Sequence, residues 1–231
     1  MPSCGPAFFS PSAASVADPF WSDVVLLLDG AGADGSTTFL DLSPAGNIVT
    51  AVDGAQVDNA IVPPFGGNSI VFDGVDDLLR VTSSASLAFG TGPFTIELWL
   101  RKIGASANFF TFAGQNWNVY YAHTTQKMAF WDGATDRITR SGSAYPLVPD
   151  WYHLALVRDA AGNVYLWDHG VQVGSTWVDA GPTNLTASDI LIGHYPASPL
   201  FGTMNAVPIR ITRQARYTVP FTPPPGPFPS F

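Results

Sequence analysis

Short apolar runs, broken by clusters of Gly, Pro, Asp and Asn, fill the chain from Asp18 onward, and their length and spacing predict strands rather than helices. Val24 to Leu28 is a continuous apolar run, and Asn47 to Val52 is a weaker one. Phe94 to Arg101 alternates, with Ile96, Leu98 and Leu100 on one side and Thr95, Glu97, Trp99 and Arg101 on the other. The first side is a core face. The second mixes a carboxylate, an indole and a guanidinium. Ser69 to Asp73 and Leu78 to Thr82 flank Gly74-Val75-Asp76-Asp77 and predict a hairpin. Trp151 to Arg158 and Asn163 to Asp168 flank Asp159-Ala160-Ala161-Gly162 and predict another. Further strands are expected at Phe109 to Ala113, Trp117 to Ala122, Lys127 to Trp131, Arg137 to Arg140, Val171 to Ser175, Ile190 to Gly193 and Pro208 to Thr212. So many short strands without helical alternation predict an all-β fold, two packed antiparallel sheets in a jelly-roll sandwich.

The two ends differ from this pattern. Residues 1–17 are rich in Pro, Ser, Ala and Gly but carry Phe8 and Phe9, so the arm is either a loose tail or a segment that docks on another chain. Residues 18–220 form the sandwich. Residues 221–231 hold five Pro in eleven positions, which excludes a central strand and predicts an extended tail pinned by Phe221, Phe228 and Phe231.

Composition narrows the function. The 231 residues are 46% hydrophobic and 12% charged, with 22 Gly and 20 Pro, as expected of a turn-rich globular chain. Seventeen Asp and one Glu against ten basic residues give a net charge of −8, and no basic residue precedes Arg80. Such a surface is a poor partner for nucleic acid or an anionic membrane. The lone Cys4 forms no intrachain disulfide. Met1 to Ser15 has neither a basic segment nor an apolar one of the secretory kind, so synthesis and assembly in a cytoplasm are expected.

Five stretches carry a resemblance: DPFWSDVVLLLDGAGADGSTTFLDLS from Asp18, FGGNSIVFDGVDDLLRV from Phe65, FGTGPFTIELWLR from Phe89, WYHLALVRDAAGNVYLWDHGVQVGS from Trp151 and IRITRQARYTVPFTPPPGPFP from Ile209. The chain resembles the concanavalin A-like, laminin-G-type jelly-roll domains of tailed-bacteriophage structural proteins. That resemblance implies a non-enzymatic accessory or decoration component of the capsid exterior or tail. It would be assembled in the host cytoplasm, present in multiple copies or as a homo-oligomer, and partnered by other virion proteins. Two departures stand out. Relatives usually read Gly-Tyr-Ile-Asp-Glu before the last strand, where GTMNAVPIRIT has Asn205 and Ala206 near the acids and Val207-Pro208 inserted. Trp167-Asp168-His169-Gly170 replaces a more usual Val-Asn-Gly turn.

Candidate chemistry is sparse. Glycan cleavage needs two carboxylates flanking one bond, and Glu97 has no acid two residues to either side. It is expected to be half-buried and paired with Arg101 or another base. His153 reads as a satisfied buried histidine. Asp73, Asp76 and Asp77 offer clustered oxygens of the kind calcium takes, but Asp side chains also cap turns. No other cofactor is implied. Aromatics interleaved with polar groups are the best binding material, because indole and phenol rings stack on the C–H faces of sugars. Trp117, Tyr120, Tyr121, His123, Trp131 and Asp132 are the candidates for a host-surface polysaccharide, and each ring is also explicable as core. Phe8, Phe9, Phe228 and Phe231 are the candidates for attachment to the particle.

Overall fold

The computed structural model describes residues 17–103, 109–114, 117–122, 125–141, 150–179, 185–195, 200–224 and 226–231, without the side chains of 109–111. Sixteen strands are assigned among them. The first ten are β1 (Val24–Leu28), β2 (Val49–Val52), β3 (Gln56–Asp58), β4 (Ser69–Asp73), β5 (Leu78–Val81), β6 (Phe94–Lys102), β7 (Phe109–Gly114), β8 (Trp117–Ala122), β9 (Lys127–Trp131) and β10 (Asp136–Arg140). They are followed by β11 (Trp151–Arg158), β12 (Asn163–Asp168), β13 (Val171–Gln172), β14 (Trp177–Val178), β15 (Ile190–Ile192) and β16 (Thr203–Thr212). One sheet has nine strands, ordered β13-β12-β11-β6-β16-β4-β3, with β1 also on β16 and β14 on β12. The other has seven, ordered β10-β9-β8-β7-β15-β5-β2. Every pairing is antiparallel, so the all-β jelly-roll sandwich holds. Among the described residues, no helix is long and apolar enough to cross a membrane.

The alternation along β6 builds the core. Ile96, Leu98 and Leu100 turn inward to meet Phe112, Val119, Phe130 and Ile192 of the opposite sheet, in one cluster that runs through the sandwich. On β16 the inward set is Met204 and Ala206, then Ile209 and Ile211. A shift of parity is needed to keep both pairs inside, and the register slips by one residue between Ala206 and Ile209. Val207-Pro208 sits in that bulge, in the cis form. A proline there removes no needed ladder donor, so the strand continues through a residue that marks its start in the sequence.

The turn Gly74–Asp77 joins β4 in one sheet to β5 in the other, so it is a corner and not the expected hairpin. Asp77 makes the corner: its carboxylate accepts from the Gly54 amide at 2.6 Å and the Asp73 amide at 2.8 Å. The hairpin at Asp159–Gly162 forms as expected, with Asp159 Oδ1 accepting the amides of Ala161 and Asn163, each at 2.9 Å.

Residues 213–224 and 226–231 fold across the outer face of the nine-stranded sheet as a strap. Tyr217 and Phe221 stack on each other at 3.7 Å and pack with Ala155, Val157 and Trp167. Trp167 Nε1 donates to the Tyr217 carbonyl, and the Phe221 amide to that of Gly170. Farther along, Phe228 packs with Val24, Leu27 and Trp99. The Asp18 amide donates to the Phe231 carbonyl at 2.8 Å, tying the start of the body to the end of the strap.

Candidate functional site

On the outer side of the seven-stranded sheet, side chains face away from the core, and among the described residues no strap crosses above them. Strand register sets a row across it: Trp131 opposite Asn118, Asn118 opposite Ala113, Ala113 opposite Leu191, Leu191 opposite Arg80, and Arg80 opposite Thr50. The floor of the row is therefore small or neutral, with an indole toward one edge and a guanidinium toward the other.

The aromatic end is a corner of three rings. Tyr120, Trp131 and Tyr195 cluster over Ala113, with Trp131 and Tyr195 edge to face at 5.5 Å. Trp131 is half-buried, and its neighbours on both adjoining strands, Asn118 and Asp136, each carry a buried Oδ1 with no hydrogen-bond partner. Tyr120 donates to Asp136 Oδ2 at 2.9 Å, and Lys127 pairs with the same oxygen. Burial, then the bond to Asp136, pushes the Tyr120 phenol above its ordinary value, while the Asp136 contact raises Lys127. At neutral pH this corner presents a neutral phenol and a charged ammonium.

The other end is a groove of about 480 Å³ lined by Arg80, Ser83, Gly114, Ala187, Ser188, Asp189 and Leu191. Asp189 accepts from the Ser83 amide at 2.8 Å and lies 3.7 Å from Arg80, both side chains being about half exposed. Gly114 is required where it stands, since a Cβ there would run into the Trp117 indole.

The structure separates the six residues expected to bind sugar. Tyr120 and Trp131 come together at this face. Trp117 and Tyr121 do not: the period-2 alternation of β8 sends them, with Val119, into the core between the sheets, leaving 6% and 2% of their surfaces exposed. Asp132 is spent on structure, accepting the amides of Ala134 and Thr135 and pairing with Arg137 at 2.5 Å in the turn between β9 and β10. Burial pushes its carboxyl up, but the amides and Arg137 outweigh that and hold it below the ordinary range. His123, like Phe8 and Phe9, lies outside the described residues. Asn118, from the same segment as Tyr120, lies directly opposite Trp131; Tyr195, Arg80 and Asp189 are not legible as site residues, because only the pairing of β15 with β7 and β5 brings their segments to this face.

Two further expectations change. Phe228 is not an exposed attachment residue; it is 5% exposed beneath the Arg210 guanidinium, 4.0 Å from its ring. Phe231 remains 51% exposed. Glu97 is fully buried and paired with Arg210 rather than Arg101: Arg210 Nη2 and Nε reach Glu97 Oε1 at 2.7 and 2.9 Å. His153, also buried, and the Tyr217 hydroxyl reach Glu97 Oε2 at 2.9 and 2.8 Å. Burial raises the Glu97 carboxyl, but Arg210, His153 and Arg216 more than offset this and hold it at about 2. A carboxylate ionised at neutral pH and sealed under the strap is unsuited to donate a proton to a glycosidic oxygen.

Asp73, Asp76 and Asp77 do converge, each offering an oxygen within 4.8 Å of the others. The two Asp77 oxygens already accept backbone amides, and Asp73 Oδ1 accepts the Val75 amide at 2.7 Å. That satisfies the turn-capping reading of the cluster.

A family model described as the concanavalin A-like lectin/glucanases superfamily matches residues 73–209, more than half of the chain. The chain belongs to that superfamily. No curated protein matches its sequence. Solved structures with the same concanavalin A-like fold include the binding domain of Paraclostridial Mosquitocidal Protein 1, at 14% identity and a TM-score of 0.63, covering 85% of this chain and 50% of that one. A structure of botulinum neurotoxin type C, titled for its interaction with two ganglioside molecules, matches at 14% identity and a TM-score of 0.62, covering 85% and 49%. The binding domain of botulinum neurotoxin DC in complex with rat synaptotagmin II matches at 14% identity and a TM-score of 0.60, covering 85% and 49%. The chain thus spans about half the length of these structures, and the likeness is one of fold.

Proposed function

We propose that this concanavalin A-like chain is a non-enzymatic carbohydrate-binding module whose binding face is the outer side of the seven-stranded sheet, centred on Trp131. The observation that carries the reading is the pair of unpartnered buried acceptors, Asn118 Oδ1 and Asp136 Oδ1, on either side of the half-buried indole. A buried acceptor without a donor is costly, and a hydroxyl that slips past the edge of the ring supplies one. The apolar face of the same sugar stacks on Trp131, which the buried Tyr195 backs edge to face, and the groove at Arg80 and Asp189 takes the hydroxyls of further units. The neighbour named for its interaction with two ganglioside molecules supports this reading in kind.

The experiment is a glycan array carrying bacterial surface polysaccharides, probed with the full chain and with Trp131→Ala. Binding by the wild type that the variant loses supports the reading. Silence across the array contradicts it.

We further propose that the module is displayed in multiple copies on a tailed-phage particle, where weak single-site binding gains from copy number. The support is the resemblance carried by the five stretches between Asp18 and Pro229. Antibody raised against the chain should label intact particles; unlabelled particles from a productive infection contradict this placement.

A further inference from the structure

A second cavity lies on the opposite side of the molecule, at the ends of β6, β11 and β12. It has a volume of about 500 Å³ and is lined by Pro64, Trp99, Asp150, Trp151, Tyr152 and His169. Trp99 follows Glu97 by two positions on β6 and so belongs to the outer face of the nine-stranded sheet. We infer that this cavity is a second saccharide site, holding one pyranose ring against Trp151 with a hydroxyl on the Trp99 indole N–H; the inference rests on the carbohydrate-binding reading above.

Three observations converge on it. First, Trp99 is 7% exposed, and its Nε1 has no hydrogen-bond partner. A buried indole N–H normally finds one. The ring cannot easily turn to seek it, because Phe65, His153 and His169 meet it edge-on at 5.8, 5.6 and 5.6 Å. Of these three, only His169 is exposed, so it is the side chain that shifts to admit the ligand and then rests against it. Second, the half-buried Trp151 is held in place by donation from Nε1 to the Val62 carbonyl at 3.2 Å, which fixes its ring as a platform. Third, His169 has φ of +50°, a left-handed backbone that a glycine would hold with less strain, in a turn whose next residue is already Gly170. An imidazole kept at such a position is placed for its side chain.

The lining also limits the ligand. Among the described residues of the lining the one carboxylate is that of Asp150, which disfavours an anion. A quaternary ammonium would suit the rings and the carboxylate, but it has no acceptor for the Trp99 N–H. A hydroxyl accepts from that N–H and donates to Asp150, satisfying both. With the Trp131 face on one sheet and this cavity on the other, one copy engages two glycan segments from opposite sides.

The test follows the seven indole N–H signals of the full-length ¹⁵N-labelled protein during titration with the methyl glycosides of glucose, galactose and N-acetylglucosamine, and separately with tetramethylammonium. At least one glycoside is expected to shift the Trp99 signal, with an affinity unchanged in Trp131→Ala and about tenfold weaker in Trp151→Ala. His169→Gly is expected to weaken binding similarly while holding or raising the melting temperature, which separates loss of the ligand contact from loss of the fold. If Trp131 responds and Trp99 does not, the second site falls and the first stands. If no indole responds, both fall. A Trp99 shift with tetramethylammonium alone, or an undiminished shift in both Trp151→Ala and His169→Gly, also overturns the inference.

Discussion

Arg210 and Glu97 face each other across β16 and β6 and are joined by two hydrogen bonds, at 2.9 and 2.7 Å, wholly beneath the C-terminal strap. Asp18 completes the arrangement, accepting from Arg210 at 2.8 Å and from Arg216 at 2.7 Å. The start of the body, its central strands and its last segment therefore meet at one set of charges.

This pair makes stability depend on acid. Glu97 is lowered from an ordinary 4.5 to about 2, so its contribution is complete above 4.5 and is lost as pH falls from there toward 2. At about 1.4 kcal/mol per pH step, the contribution is about 3 kcal/mol. Glu97→Gln should be less stable than wild type by about that amount at neutral pH, with a gap that closes on acidification. Urea denaturation at a series of pH values measures the gap. A gap independent of pH from neutrality down to about 2.5 would exclude Glu97 as its source.

Phe228 and Phe231 look equivalent in the sequence, yet they should behave differently. Removing the buried ring under Arg210 in Phe228→Ala is expected to cost about 3 kcal/mol. The half-exposed Phe231 should change stability by less than about 0.5 kcal/mol. Chemical denaturation of the two variants checks this; equal effects would mean that the strap does not seat Phe228 as described.

Gly170 lies where the strap crosses the turn between β12 and β13. It combines a φ of +79° with a position at which any Cβ would strike the Phe221 carbonyl. Gly170→Ala should therefore cost more than about 2 kcal/mol, since both the turn and the strap must move. It should also expose the indole of Trp167, whose Nε1 donates to the Tyr217 carbonyl. Thermal melting and quenching of tryptophan fluorescence measure the two effects. An unaltered melt with unaltered quenching would contradict the packed strap.

Trp117 and Trp131 separate stability from binding. Trp117→Ala empties a site in the inter-sheet core and should lower stability by about 3 to 5 kcal/mol. Trp131→Ala, on the outer face, should stay near wild-type stability and lose glycan affinity. Unfolding curves beside array binding give both numbers, and the opposite assignment would invert the two faces of β8 and β9.

Much of this architecture is legible in the sequence because alternation reports burial directly: the inward set Ile96, Leu98 and Leu100 and the outward set Thr95, Glu97 and Trp99 can be read from β6 alone. β3 and β14 are not legible, since Gln56–Asp58 and Trp177–Val178 are too short for any period to show. The first half of β16 is hidden by Pro208, whose usual meaning as a strand boundary is cancelled by the bulge. The corner at Asp77 looks like a hairpin because both have turn chemistry; only the partners of β4 and β5 tell them apart. The binding face is half legible for a similar reason. Trp131 and Tyr120 are among the candidate aromatics, but nothing in the sequence ranks them above the buried Trp117 and Tyr121, and Arg80 and Tyr195 reach the face from segments distant in sequence.

The most direct test is a crystal structure of the full chain with the oligosaccharide that binds it best on the array. The account predicts a sugar ring stacked at Trp131, with a hydroxyl bonded to Asn118 or Asp136. An oligosaccharide bound entirely away from the seven-stranded sheet, leaving Trp131 uncontacted, would contradict it.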